Sequence, residues 1–281
     1  MASPLDDTFL APNCSHPLDL IDTLKFTTQT YCLFLDLDGT LAAFQNNPQH
    51  SFIPPATLQL LRHCIEQTTP VIAVTGRDLS TAEKLLASLP IPIAGLHGLD
   101  IKIDAEQLLH PDLSAINFDR LKQQISKACA PYPDLLIEDK GHAIALHYRQ
   151  CPALAEIAEQ IMRELQPKYP QLKLHQGKCV VELLPLQASK GYAIKTLMQH
   201  LQLEEYLPIF IGDDRTDEPG FAVVNALQGF SIKVGSGATE AHHRLQDISA
   251  VAQFLELFVQ QLKARVCSKN RASEGEQACL N

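Results

Sequence analysis

The sequence predicts an α/β fold: a doubly wound, Rossmann-like parallel sheet with an inserted α+β domain. Three observations predict it. Short apolar runs at 31–36 (YCLFLD), 71–75 (VIAVT) and 91–96 (IPIAGL) alternate with amphipathic segments. That β-α-β-α-β rhythm is the pattern of a parallel sheet covered by helices. The rhythm breaks after residue 99 into hairpin-like runs, and returns at Ser189.

The elements follow in order. Residues 1–27 are polar, contain proline and show no period, so they read as a loose extension. YCLFL is a buried strand ending at Asp36. ATLQLLRHCIEQ is an amphipathic helix, VIAVT the second strand, RDLSTAEKLLASL the second helix and IPIAGL the third strand. After IKID, the helix DRLKQQISKACA leads into LLIEDKGHAIALHYR, two strands turning near Lys140–Gly141. The helix ALAEIAEQIMRELQ precedes a second hairpin, LKLHQGKCVVELLP, expected to turn at Gln176–Gly177. The α/β rhythm then gives helix KGYAIKTLMQHL, strand LPIFIGD, helix TDEPGFAVVNA, strand FSIKVG and a last helix over about 249–263. The expected core is therefore 28–98 with 187–265, the insert 99–186, and a flexible tail 266–281.

The 281 residues suit one large or two modest domains. Hydrophobic residues make up 46% and charged residues 20%, enough apolar material for a core. A net charge of −9, from 32 acids and 23 bases, argues against a broad nucleic-acid surface. No apolar run approaches the roughly 18–20 residues of a membrane helix. The opening MASPLDDTFLAPN lacks the basic and apolar regions of a secretory signal. Eight scattered cysteines form no C-x-x-C and read as reduced thiols, so a cytoplasmic protein is expected.

Chemistry gathers at strand ends, where open α/β sheets bind ligands. Asp36-Leu37-Asp38-Gly39-Thr40-Leu41 follows the first strand. Asp36 needs no base to attack phosphorus, and Asp38 is placed to act as general acid and base. Gly39 permits a tight turn whose amides can face phosphate oxygens. Asp-x-Asp-Gly also opens calcium loops, but the twelfth position here is Asn47 rather than Glu. Thr75-Gly76-Arg77, after the second strand, offers a hydroxyl, a free amide and a cation to a phosphate. In Ser189-Lys190-Gly191, the lysine opposes the helix dipole and can neutralise phosphate. In Gly212-Asp213-Asp214-Arg215-Thr216-Asp217, adjacent acids repel unless a hard cation relieves them, and oxygen ligands in small number suit Mg²⁺.

DLDGTL, TGR, the lone SKG lysine and GDDRTDE, in this order, resemble the haloacid-dehalogenase-like phosphatases over about residues 30–260. GLHG (95–98), EDKGHAIALHYR (138–149), KCVVELLPLQASKG (178–191) and FIGDDRTDEPGFAVVN (210–225) resemble the trehalose-6-phosphate phosphatase branch of that superfamily. The resemblance implies a haloacid-dehalogenase-type core with a cap. It implies Mg²⁺-dependent hydrolysis of trehalose 6-phosphate through an aspartyl-phosphate, the last step of trehalose biosynthesis.

By the same resemblance Asp36 is the nucleophile and Asp38 the general acid/base. Asp36, the Asp38 backbone carbonyl and Asp213 are the metal ligands, supported by Asp214 and Asp217. Thr75, Gly76, Arg77 and Lys190 grip the phosphate. Glu138, Lys140, His147, Arg149, Lys178 and Glu182 in the cap read the sugar. Paired acids and bases of this kind hydrogen-bond vicinal hydroxyls well. The expected partner is a small sugar phosphate acting on a monomer, with no nucleic acid or membrane. Rival readings are a phosphatase for another sugar phosphate such as sucrose phosphate, a silent sugar-phosphate-binding module, and a phosphomutase. Intact Asp36 and Asp38 argue against the silent module.

Overall fold

The computed structural model describes residues 14–45, 50–177 and 179–278, with side chains as far as Val266. In chain order the elements begin with α1 (Pro17–Thr23), β1 (Tyr31–Leu35), α2 (Pro55–Glu66) and β2 (Val71–Val74). Then come α3 (Leu79–Leu85), β3 (Ile93–Gly95), β4 (Asp100–Lys102) and β5 (Leu108–Leu109). The middle of the chain forms α4 (Phe118–Cys129), β6 (Leu136–Asp139), β7 (Ile144–His147), α5 (Ala155–Leu165), β8 (Leu172–Gly177) and β9 (Val180–Pro185). It closes with α6 (Lys190–His200), β10 (Leu207–Gly212), α7 (Glu218–Ala226), β11 (Phe230–Val234), β12 (His243–Leu245) and α8 (Ile248–Ala278). Two compact units result. One is built from residues up to Leu109 and from Ser189 onward, the other is His110–Ala188.

The first unit carries an eight-stranded sheet in the order β12-β11-β10-β1-β2-β3-β4-β5. From β12 to β3 every pairing is parallel. All five residues of β1 are buried, as a strand covered on both faces requires. Alternation divides them between two cores. Leu33 and Leu35 join Ile209, Ile211, Phe254 and Phe258 on one face. Cys32 and Phe34 join Phe210, Ile194, Leu197 and Phe221 under α6 and α7 on the other. This packing brings β1, β2 and β10 side by side, so their carboxyl ends converge.

The second unit is a four-stranded antiparallel sheet in the order β6-β7-β9-β8, with α4 and α5 packed on one face. Ile144, Leu146, Val181, Leu183 and Leu172 point into that core. The register Glu138↔Ala145↔Glu182↔His175 runs across the opposite face.

Four expectations are corrected. The insert begins near His110 rather than 99, because β4 and β5 extend the core sheet antiparallel from β3, and Ile101 is buried in its core. The supposed loose extension contains α1: Leu20, Ile21, Leu24 and Phe26 are buried, and Phe26 stacks edge-on with Phe258 at 5.2 Å. Seven residues are too few to show a helical period; residues 1–13 lie outside those described. The last helix continues through 266 to Ala278, a stretch with no proline to stop it, and 279–281 lie outside the described residues. The second hairpin turns after Gly177 rather than at it.

Among the described residues no helix is long and apolar enough to cross a membrane. Cys14, Cys32, Cys64, Cys129, Cys151 and Cys179 are free thiols. Burial pushes Cys32 and Cys64 up to about 12, the behaviour of small core hydrophobes.

Candidate active site

β1 ends and delivers Asp36 into the crevice with only 4% exposure. Its N–H donates to the Ile211 carbonyl at 3.0 Å, which continues the parallel ladder and fixes the backbone. The chain then turns sharply. The Leu41 and Ala42 N–H groups both donate to the Leu37 carbonyl, and the Gly39 N–H donates to the Ala42 carbonyl. Gly39 is required here for two reasons. Its φ is +80°, and a Cβ on it would lie 2.1 Å from Asp213 Oδ2.

Lys190 opens α6 and is 2% exposed. Its Nζ lies 2.7 Å from Asp36 Oδ1 and donates to Asp217 Oδ1 at 2.6 Å. Burial works to lower its affinity for a proton, but the two carboxylates outweigh that and hold it above its ordinary value. Burial pushes the Asp36 carboxyl well above the usual carboxylate range, with Lys190 opposing and Asp217 and Asp213 adding to the rise.

The other four aspartates after β1 and β10 have separate fates. Asp217 is fully buried and satisfied: Oδ1 takes Lys190 and Oδ2 accepts from the Asp214 N–H at 2.8 Å. Asp214 is exposed and caps a short 3-10 turn, accepting from the Arg215 N–H at 2.7 Å. Asp213 is different, since its Oδ1 is buried with no hydrogen-bond partner. Desolvation raises Asp213 to about 6, with Asp217 next among the causes. Oxygens of Asp36, Asp213 and Asp217 all lie within 4.8 Å of one another. Asp38 is held by Arg77 through two bonds, Nε to Oδ2 at 2.5 Å and a terminal N–H to Oδ1 at 2.6 Å.

At the end of β2, Thr75 is 1% exposed and its Oγ1 accepts from the Arg77 N–H at 3.2 Å. Gly76 stands exposed between them. The structure therefore gathers Asp36, Asp38, Thr75, Gly76, Arg77, Asp213 and Asp217 at neighbouring strand ends, with Lys190 at the start of α6. It turns Arg77 onto Asp38.

Two residues were missed by sequence reading. Ser51 accepts from Arg77 at 2.9 Å. Lys233, 4% exposed on β11, donates to the Asp213 carbonyl and fixes that loop from below. Its register partner is Gly212, so only the sheet order could have found it.

In the second unit Lys140 Nζ donates to Glu182 Oε1 at 2.6 Å and lies 3.9 Å from Glu138. His147 Nε2 pairs with Glu138 Oε2 at 2.8 Å. Four of the six expected sugar-reading residues thus form one linked cluster on the open face. Arg149 is exposed nearby in the chain, and Lys178 lies outside the described residues.

The trehalose-phosphatase family model matches residues 34–250. The trehalose-6-phosphate phosphatase of Escherichia coli (strain K12) is 37% identical over 250 residues, covering 88% of this chain and 92% of that protein. A crystal structure of a trehalose-6-phosphate phosphatase related protein superposes with a TM-score of 0.60 at 28% identity, over 82% of this chain and 97% of that one. A haloacid dehalogenase-like hydrolase from Bacteroides thetaiotaomicron shares the fold, with a TM-score of 0.62 at 15% identity over 81% of this chain and 99% of that one. The match over most of the chain and the acid–lysine arrangement at its sheet ends agree: the chain belongs to the trehalose-phosphatase family.

Proposed function

We propose that the protein hydrolyses trehalose 6-phosphate to trehalose and inorganic phosphate, with Mg²⁺, through an aspartyl-phosphate on Asp36. The observation that carries this is the Asp36 carboxylate, buried at a sheet end and 2.7 Å from the Lys190 ammonium. A structural carboxylate has no reason to be sealed among two further acids. The chain would act in the cytoplasm as a monomer, at the last step of trehalose biosynthesis.

In this reading an Asp36 oxygen attacks phosphorus as the bond to the sugar oxygen breaks. Asp38 delivers a proton to the departing oxygen. Asp38 then takes a proton from water, which attacks the acyl phosphate, and the Asp36 carboxylate returns. Arg77 aims Asp38, so their pair must loosen for the proton to move. Lys190 balances charge on the phosphate, and the Thr75 hydroxyl, which accepts from Arg77, can still donate its own proton to a phosphate oxygen.

The residues fit a divalent cation. Asp213 keeps a buried oxygen without a protein partner, whereas both oxygens of Asp217 are engaged. Asp36, Asp213 and the Asp38 carbonyl would hold Mg²⁺, with Asp217 and Asp214 supporting. When bound, the ion would offset the negative charge of nucleophile and phosphate. Glu138, Lys140, His147 and Glu182 would read sugar hydroxyls, joined by Arg149 and Lys178.

Phosphate release from a panel of sugar phosphates, with and without Mg²⁺, tests the proposal. Trehalose 6-phosphate should be preferred, and excess chelator should silence the enzyme until Mg²⁺ is restored. Full activity in chelator would overturn the metal assignment. Preference for sucrose phosphate would overturn the substrate.

A further inference from the structure

None of these chemical steps uses the Gly95-Leu96-His97-Gly98 turn that follows β3. Its backbone is unusual. Leu96, His97 and Gly98 are all left-handed, with φ of 47°, 57° and 97°. Two consecutive non-glycine residues in that region store strain, which persists only where neighbours impose it. The neighbours here are Thr75, Gly76 and Arg77. The Leu96 N–H donates to the Arg77 carbonyl at 2.9 Å, and the His97 N–H to the Thr75 carbonyl at 2.9 Å. The two bonds bracket Gly76.

The His97 ring completes the arrangement. A Cβ built on Gly76 would lie 2.6 Å from His97 Cε1 and 2.8 Å from Nε2. The imidazole therefore fills the space that any other side chain at 76 would need. Gly76 itself is exposed, so the ring covers one side of the loop only. The same turn reaches the second phosphate element. A Cβ on Gly98 would lie 2.8 Å from Ala193 Cβ and 3.2 Å from the carbonyl oxygen of Ser189, which caps the helix that Lys190 opens.

We infer that His97 is a positioning residue for phosphate binding: its ring packs on Gly76 of the Thr75–Gly76–Arg77 loop, while Gly98 of the same turn lies against the Lys190 helix. This rests on the assignment of those residues to the phosphate. Sub-ångström placement matters there, since a misplaced grip loses affinity and rate together.

The test uses the full chain with Mg²⁺ and an aryl phosphate substrate, and reads inhibition by inorganic phosphate alongside KM, kcat and Tm. His97→Asn removes the ring but tolerates the left-handed backbone. The inhibition constant and KM should rise together by roughly ten- to a hundredfold, with Tm near that of the parent. A lowered Tm with phosphate affinity unchanged would make the residue merely structural and overturn the inference.

A double-mutant cycle keeps the proposal falsifiable if His97→Asn folds poorly. Gly76→Ala should weaken phosphate binding because its methyl meets the ring. In Gly76→Ala/His97→Gly, where glycine accepts the left-handed backbone, the methyl has room, and affinity should return to that of His97→Gly alone. Additive losses would overturn the inference. Thr75→Val separates the two layers. If it leaves phosphate inhibition unchanged, the phosphate-loop assignment itself fails. If it raises the constant while His97→Asn does not, only the positioning role fails.

Discussion

The two units carry the same kinds of charged residue and hold them in opposite ways. In the first, the side chains of Asp36, Lys190 and Asp217 are 6%, 2% and 0% exposed, and Lys190 is sealed between the two carboxylates. In the second, Lys140 and Glu138 are 40% and 50% exposed, and Lys140 lies within reach of two carboxylates. Sealing charges is costly and is repaid only when the geometry must not relax, as it must not around a reacting phosphorus. Solvated pairs cost little and exchange partners readily, which suits a neutral polyol with many hydroxyls. Under the proposed function the contrast would separate chemistry from recognition, and it predicts how substitutions in each region should differ.

The largest effect belongs to Asp36→Asn. The amide nearly matches the carboxylate in shape but cannot attack phosphorus. Loss of a nucleophile costs roughly ten-thousandfold to a millionfold in kcat, while far-UV circular dichroism should be unchanged. Asp38→Asn should fail differently, accumulating phosphoenzyme from a substrate with a good leaving group. Mass spectrometry of the trapped protein checks both. A phosphoenzyme in Asp36→Asn would remove Asp36 from its role.

Next is the buried pair. Asp217→Ala leaves the sealed Lys190 ammonium with one carboxylate instead of two. Removing one partner of a buried ion pair typically costs about 3–5 kcal/mol, measurable by urea unfolding. Lys190→Ala should do comparable damage and depress every phosphate substrate alike, since all share the phosphate. A stable Lys190→Ala protein that loses activity toward one substrate only would collapse the distinction between the regions.

That distinction was partly visible in the sequence. Five consecutive buried residues in β1 read directly as a strand covered on both faces, and its terminal acid could only emerge at the sheet end. What adjacent acids do could not be read. Asp213 and Asp214 are neighbours of one type, yet one is drawn inward and the other caps a turn, because the register of β10 sets the direction. β12 was missed because His243-Arg244-Leu245 has no apolar run. Arg244 is buried with the Gly235 and Gly237 carbonyls accepting from it. Lys233 reads as an ordinary strand residue until β10 and β11 are paired. The cap face was legible as chemistry but not as a cluster, since Lys140 meets Glu182 across 42 positions of chain.

The acid cluster also predicts a pH effect. Asp213 is raised from 3.8 to about 6, and Asp36 is raised as well. Between about pH 4 and 6 the metal-free folded state thus holds more protons than the unfolded state. These two acids make stability fall as pH rises through that window, while His243, held below its ordinary value by burial, works in the opposite sense. The hydrogen-bonded surface carboxylate Asp78 is lowered to about 2 and acts in the opposite sense, but only below pH 4. Thermal melts of chelator-treated protein at pH 4.5 and 7, about the ends of this window, should show the higher Tm at the lower pH. Asp213→Asn should shrink that difference, and Mg²⁺ should raise Tm chiefly at pH 7. A Mg²⁺ response that survives intact in Asp213→Asn would break the assignment of Asp213 as a ligand.

The smallest and most selective effects belong to the open face. If these residues read the sugar, Lys140→Ala or Glu182→Ala leaves a hydroxyl or a side-chain partner unpaired, typically about 1–3 kcal/mol. That is roughly 5–150-fold in kcat/KM for the disaccharide phosphate. An aryl phosphate, which makes none of those contacts, should lose little. His147→Ala should fall at the low end, because His147 meets the cluster only through Glu138, itself half exposed. The ratio of the two substrates is the useful quantity, since losses of folded protein cancel in it. Stability should barely change in Lys140→Ala and His147→Ala, as exposed ion pairs contribute little, and somewhat more in Glu182→Ala, whose side chain is 15% exposed. Equal losses on both substrates would mean that the open face supports the fold and reads no sugar. Selectivity for the disaccharide would then have to come from residues outside this cluster, with Arg149 the first to test.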